Sequence, residues 1–415
     1  MRYSKTVLIL ITFFWLSVRV SSQELPFTPE DQFSTDQAAQ SRVNTPTMHQ
    51  ITPHGPIIIT NNNEFSLQGF PGSGTIDDPY RIEGFNITAS DENSILITDT
   101  SAYFCVRSNF LNGLSLAISG IELHMVTHGT IGNNVITEYL GNGIALSLSN
   151  NNTIVNNTVT NNNEDGIIFT SSHNNTISNN TVANNNEGGI DIWHSRTNII
   201  SNNLVINNQG GIELRWSHRS TLSNNMVTNN SKSGITFANS RNNTIFNNMI
   251  SNNILNGIFL SSSTNITFLD NTVSNNEKGV QLWGSEAIII LNNTISRNRG
   301  YGFSNDGSSR YSKVSWNDFI GNNLEGTSQA YDDGLNNTFD QNYWDDWTEP
   351  DANGDGVVDA PYPIDGDAHN QDMRPRTAPK HASSPFLSEN IIVGFLLLAI
   401  ILPVLGIAIW YQKRV

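Results

Sequence analysis

Two stretches one repeat apart hold the residues best suited to chemistry. They are Gly189-Ile190-Asp191-Ile192-Trp193-His194 and Gly211-Ile212-Glu213-Leu214-Arg215-Trp216, in which Asp191 aligns with Glu213 and Trp193 with Arg215. Alternation along a strand puts Asp191, Trp193, Glu213 and Arg215 on one side, with His194, Trp216 and His218 nearby. Carboxylates, indoles and a guanidinium together suit a sugar ring, whose apolar face stacks on Trp while its hydroxyls bond acids and bases. Strands stacked about 4.8 Å apart would bring two such carboxylates near the separation of a retaining glycosidase. A lyase or epimerase acting beside a uronate carboxyl is the other enzymatic reading, with Asp191, Glu213 and Arg215 as its acid–base set. The bland reading is a solvated strand face whose acids and bases neutralise one another. No lyase, hydrolase or epimerase motif is visible.

A second group suits a hard cation. Asp351, Asn353, Asp355 and Asp359 stand at positions 1, 3, 5 and 9 of a calcium-loop pattern, with Gly356 at position 6 and the Val357 carbonyl at position 7. Position 12 departs from it, being Tyr362 where a glutamate is expected. Between Asp332 and Asp372 there are twelve acidic residues and no Lys or Arg, a density that favours a cation or dispersed hydration. Calcium is the expected ion; an ion-free acidic turn is the alternative.

A repeat positions both groups. The hexad φ-x-x-Asn-x-φ, with φ apolar, recurs with its asparagine at Asn109, Asn134, Asn157, Asn180, Asn203, Asn225, Asn248, Asn271, Asn293, Asn317 and Asn342. A step of 22 to 25 residues means a solenoid with one coil per repeat. Apolar residues come in short bursts at period two, separated by turn residues. Three strands and three turns per coil predict an all-β, single-stranded, right-handed parallel β-helix. The asparagines are expected to stack and bond from coil to coil and to tolerate a left-handed corner. A glycine column, Gly120, Gly143, Gly166, Gly189, Gly211, Gly234, Gly257, Gly279 and Gly302, is expected to supply a φ > 0 corner. A serine column follows at Ser149, Ser172, Ser195, Ser217, Ser240, Ser263, Ser285 and Ser308.

Of the 415 residues only 14% are charged, with net charge −16. That argues against nucleic acid, whose phosphates call for clustered Lys and Arg. Residues 1–22 read as a secretory signal, with an uncleaved anchor as the alternative, and 23–56 as a polar leader. Residues 57–105 read as an N-terminal cap with the first coils, 106–344 as the repeats, and 345–375 as an acidic closing cap. A linker spans 376–390, a transmembrane helix 391–411, and a cytoplasmic tail 412–415. The single cysteine, Cys105, excludes an intrachain disulfide and aligns with Thr130, Thr153 and Thr176. Ten Asn-x-Ser/Thr sequons, Asn86, Asn151, Asn174, Asn265 and Asn336 among them, could carry glycans.

The ends of the repeat carry a family resemblance. The run from Gly72 to Ile87, with Asp77-Asp78-Pro79-Tyr80-Arg81-Ile82, and the closing Asn342-Tyr343-Trp344 and Pro361-Tyr362-Pro363-Ile364 resemble the NosD-type β-helix family over about residues 57 to 375. The resemblance implies the fold. It also implies a link to copper delivery, which wants clustered His, Cys or Met, whereas nine His, six Met and one Cys are scattered here. The expectation is a membrane-anchored surface protein with a structural or carbohydrate-binding role. A polysaccharide lyase or epimerase and a copper-handling protein are the alternatives.

Overall fold

The computed structural model describes residues 51–347 and 349–380. The expected signal segment, most of the polar leader and the apolar stretch 391–411 lie outside the described residues. Among the described residues no helix is long and apolar enough to cross a membrane.

The described chain winds as a right-handed parallel β-helix with three sheets of 13, 12 and 14 strands. Nearly all pairings are parallel and join each strand to its equivalent one coil away. Inward-facing apolar residues, one per short strand and two per strand such as Ile190 and Ile192 in the 12-stranded sheet, stack on their copies. Ile154, Ile177, Ile200, Leu222 and Ile245 form such a column, each fully buried. A one-turn helix, Glu64–Leu67, lies near the N-terminal end, where its Phe65 stacks on Tyr80 and Phe104. At the other end Trp344 is sandwiched between Phe319 and Tyr362, with centroids 4.3 and 4.0 Å away.

Asparagine sets the coil-to-coil register. Each column Asn donates its Nδ2–H to the Oδ1 of the next, from Asn109 through to Asn342, at 2.9–3.0 Å. The same Oδ1 also accepts the backbone N–H of the preceding coil's Asn. The column residue itself does not take the left-handed conformation. That role belongs to its predecessor: Asn133, Asn156, Asn179, Asn202, Asn224, Asn247 and Asn292 have φ between 54° and 59°. The inner side chain must face the core to stack, so the exposed neighbour makes the corner. Sequon residues Asn151, Asn174, Asn265 and Asn336 sit at similar exposed left-handed corners.

A second ladder escaped the sequence reading. Asn162, Asn185, Asn208, Asn230, Asn253, Asn276, Asn298 and Asn322 relay the same bond at 2.9–3.3 Å. It explains the glycine column, which does not have positive φ. A Cβ on Gly166 would collide with Val182 Cγ1 and meet Asn185 Nδ2 and the Gly189 carbonyl oxygen at 2.8 Å each. Glycine is there to let this ladder and the neighbouring backbone approach. The serine column relays backbone N–H to Oγ down to Ser285, whose partner is Ser309 and not Ser308. A 24-residue step displaces the register by one there.

Both asparagine ladders end on carboxylates. Asn342 Nδ2 donates to Asp372 Oδ2 at 3.0 Å. Asn322 Nδ2 donates to Gln329 Oε1, and Gln329 Nε2 to Asp345 and Asp346. Buried Asp332 accepts from Asn305, Asn337 and Asn370. Part of the acidic density of the closing segment is therefore spent on terminal amide donors.

Asn203→Ala removes the Oδ1 that accepts the buried Asn180 backbone N–H and one of its Nδ2–H bonds, and the Nδ2–H that bonds Asn225, and a buried unsatisfied group costs about 1–3 kcal/mol. Asn202→Gly, at a corner with φ 56°, should be near neutral, within about 0.5 kcal/mol. Urea unfolding of the two variants measures the difference; equal destabilisation would refute the division of roles.

Candidate functional site

The two stretches with reactive residues are the paired strands Gly188–Trp193 and Gly210–Arg215. Their register is Asp191 beside Glu213 and Trp193 beside Arg215. The residues line a cleft of about 390 Å³ together with Glu164, Asp165, Glu187 and Lys232. Asp191 and Glu213 face outward from the core, yet only 5% and 8% of their surface is exposed. The face is thus a walled recess and not a solvated strand.

Glycine opens its floor. Each coil here starts with a Gly-Gly pair, at 188–189 and 210–211. The second glycine of each makes room for the amide ladder. The first makes room for an acid: a Cβ on Gly188 would stand 2.7 Å from Asp165 Oδ1, and one on Gly210 would collide with Glu213 Oε1.

The carboxyls differ in their partners. Glu213 Oε2 accepts from Arg215 Nε at 3.0 Å and from Arg215 Nη2. The Arg215 guanidinium also lies 4.9 Å over the Trp193 ring. Asp165 Oδ1 accepts the Gly188 N–H at 2.7 Å. Asp191 Oδ1 and Trp193 Nε1 are buried and make no hydrogen bond of good geometry, although the indole stands close enough to the Asp191 carboxyl to draw its pKa down. Burial, then the neighbouring Glu213 charge, pushes Asp191 up to about 7. Burial, then Asp191, pushes Asp165 up to about 8.

His194, Trp216 and His218 do not line the cleft. His194 and Trp216 occupy left-handed corners with φ 49°, where the chain turns off the strand, and they stack on each other at 5.0 Å. His218 bridges between Arg196 and Arg241, and its Nδ1 accepts the Arg241 N–H. Burial and then Arg241 lower its pKa. The sequence reading missed Asp165, Glu164, Glu187 and Lys232, which come from the turn before the strand. The Gly-Gly doublets were the signal that could have found them.

The loop Asp351–Asp359 is closed by its own amides. Asp351 accepts from Gly354, Asp355 and Gly356, Asn353 from Asp355, Asp355 from Val357, and Asp359 from Ala352. Except for Asp351 Oδ1, which accepts two amides, each of these oxygens keeps a second lone pair. Among the described residues no three His, Cys, Asp or Glu side chains converge as a metal site.

Asp165 and Asp191 hold protons more tightly folded than unfolded. Folded protein then binds more protons, so stability is full below the unfolded carboxylate value and declines as pH rises through about 7 and 8. Asp191→Asn should raise Tm relative to the parent at pH 8.5 and leave it nearly unchanged at pH 4 (values on the order of the two ends of that window). Thermal scans across pH check this; a gain equal at both ends would contradict it.

A family model described as right handed beta helix region matches residues 153–295 and 211–344, and one described as periplasmic copper-binding protein (NosD) matches 54–191. Two solved structures share the fold: the A-modules of the Azotobacter vinelandii mannuronan C-5 epimerases AlgE4 and AlgE6. Each has a TM-score of 0.55 and 16% identity over 68% of this chain, covering 99% and 97% of theirs. At that identity the likeness concerns the coil and not the chemistry. No curated protein matches the chain. Copper does not fit the described residues, since among them no three His, Cys, Asp or Glu side chains converge and the buried Cys105 sits in the Thr130 row. The coils of the structure run under both matches, so residues 153–344 are similar to the right-handed β-helix model and residues 54–191 to the NosD model.

Proposed function

We propose that the chain is a carbohydrate-binding β-helix protein that works outside the cell, with the cleft at Asp191, Trp193, Glu213 and Arg215 as its sugar-contacting surface. The observation that carries this is the pair of buried polar atoms in the recess, Asp191 Oδ1 and Trp193 Nε1, which make no hydrogen bond of good geometry. A buried polar atom without a partner costs about 1–3 kcal/mol, and a ligand hydroxyl removes that cost. Sugar hydroxyls both donate and accept, so one ring can satisfy the carboxyl and the indole together. The fold shared with two polysaccharide-modifying modules supports a polysaccharide as partner. The family description as periplasmic supports placement beyond the cytoplasmic membrane, and residues 391–411 are proposed to anchor the chain there.

We also propose a weakly held calcium ion at Asp351–Asp359, coordinated through the lone pairs that the loop amides leave free. Those carboxylates would have to turn partly from their amides, so the affinity belongs with extracellular modules, about 10⁻⁴–10⁻³ M.

Two measurements follow. Intact cells displaying the full chain should retain a fluorescent neutral polysaccharide, and Trp193→Ala should reduce retention at least about tenfold, the equivalent of ~1.4 kcal/mol. Equal retention by cells with and without the chain, across a broad glycan set, would defeat the binding reading. Separately, millimolar calcium should raise the Tm of the purified chain and Asp355→Ala should abolish the gain. An unchanged Tm removes calcium from the account.

A further inference from the structure

Resting on the glycan-binding reading, we propose that this cleft hydrolyses glycosidic bonds of neutral polysaccharides, with Asp191 as proton donor and Glu213 as nucleophile. Adjacent strands in one sheet lie about 4.8 Å apart, near the carboxyl separation used for retention through a glycosyl ester. Asp191 and Glu213 are such neighbours, in register.

Their surroundings divide the roles. Glu213 is gripped by Arg215 from its own strand, which fixes its oxygens and pairs the carboxylate with a cation. Asp191 makes no ion pair, and its Oδ1 is buried in the recess with no hydrogen bond of good geometry. Burial there favours the neutral acid, which supports the assignment of the proton to Asp191. Carboxyls in unlike settings are the arrangement by which an acid and a carboxylate coexist.

Charge selects the substrate class. Glu164, Asp165, Glu187, Asp191 and Glu213 line the cleft against Arg215 and Lys232. Arg215 is already committed to Glu213. With Asp165 and Asp191 holding protons, a uronate carboxylate entering here would still meet the Glu164 and Glu187 carboxylates, with Lys232 the cation not already paired to Glu213, so the lining disfavours acidic polymers. This sets hydrolysis of a neutral chain ahead of the lyase or epimerase chemistry that acidic sugars undergo.

The steps balance with one water. Asp191 gives its proton to the glycosidic oxygen as the C1–O bond breaks and its electron pair stays on the leaving sugar. Glu213 bonds to C1 and forms the ester. Water then attacks C1, Asp191 takes its proton, and the C1–Glu213 bond opens. The products are two sugar chains, one with a new reducing end of unchanged configuration.

The test uses the purified full chain at pH 5 to 7 (on the order of the operating range of a raised carboxyl). The probes are mixed-linkage β-glucan, xylan, galactomannan and dextran, with alginate and polygalacturonate as acidic controls. Affinity electrophoresis reads binding, a reducing-end assay reads cleavage, and NMR of the first-formed anomer reads stereochemistry. The expected result is retardation by at least one neutral polymer, release of retained-anomer reducing ends from it, and loss of about 10²–10⁴-fold in rate for Asp191→Asn. Retardation without new reducing ends overturns hydrolysis and leaves binding standing. No retardation by any polymer sinks both readings. Unsaturated uronate ends from alginate, or full activity in Asp191→Asn, overturns the assignment.

Discussion

The whole rod depends on one interaction, the hydrogen bond passed from a side-chain amide to its copy in the next coil. Each inner Asn uses Nδ2 as donor and Oδ1 as acceptor toward opposite neighbours, so the amides in a ladder point the same way. A row of aligned amides accumulates a dipole as a helix does, positive where the donors are left over. Here that end is the C-terminal one. Asp372 closes one row, and Asp345 and Asp346 close the other through Gln329. The acidic cap is thus an electrostatic complement of the ladders, built from the groups best able to accept the final charge-assisted bonds. Burial holds Asp372 above the usual carboxylate value, while donors from Asn342, Arg374 and Trp344 draw it back.

Two ladders in one coil impose a steric condition. The second ladder passes close to the start of the second sheet's strands, and only glycine leaves room for it. Most coils need one glycine there. The two coils that carry Asp191 and Glu213 have a second one just before, and this time the freed volume is on the outer face. The inner glycine serves stability and the outer one makes the recess. A side chain at either outer position would fill the space now held by an acid. The cleft is therefore a local departure from the repeat at two adjacent coils, with the scaffold unchanged beneath it.

The fold was legible because its driving residues repeat. Eleven identical asparagines at a nearly fixed step leave little choice but stacked coils, and the registers of Asp191 with Glu213 and Trp193 with Arg215 follow by counting. What counting could not give is which neighbour bends. Left-handed φ was assigned to the column Asn and to the glycines, and it belongs to the residue before each column Asn. Composition cannot separate two adjacent asparagines of opposite duty. The Asn162 ladder was hidden for a similar reason, among many asparagines in turns. The site was half legible. Strand residues could be placed by alternation, but Asp165 lies before its strand and enters the recess through the turn. His194 and Trp216 were drawn into the patch by proximity in sequence, and a left-handed corner carries them past its edge.

Rigidity then links scaffold to chemistry. Catalytic pairs need their spacing held to a fraction of an ångström, and sites on regular elements hold it better than sites on loops. Asp191 and Glu213 are on strands whose backbones pair on both sides, to Ile168 and to Thr236. Beneath them the ladders fix the rise of every coil. Nothing in that scaffold distinguishes one acid from the other. The difference comes from a single side chain two residues along, since Arg215 pairs with Glu213 while the equivalent position on the Asp191 strand is Trp193. An arginine on one strand and an indole on the next suffice to give two neighbouring carboxyls unlike partners, and a repeat protein can acquire such a pair by changing only outward-facing residues.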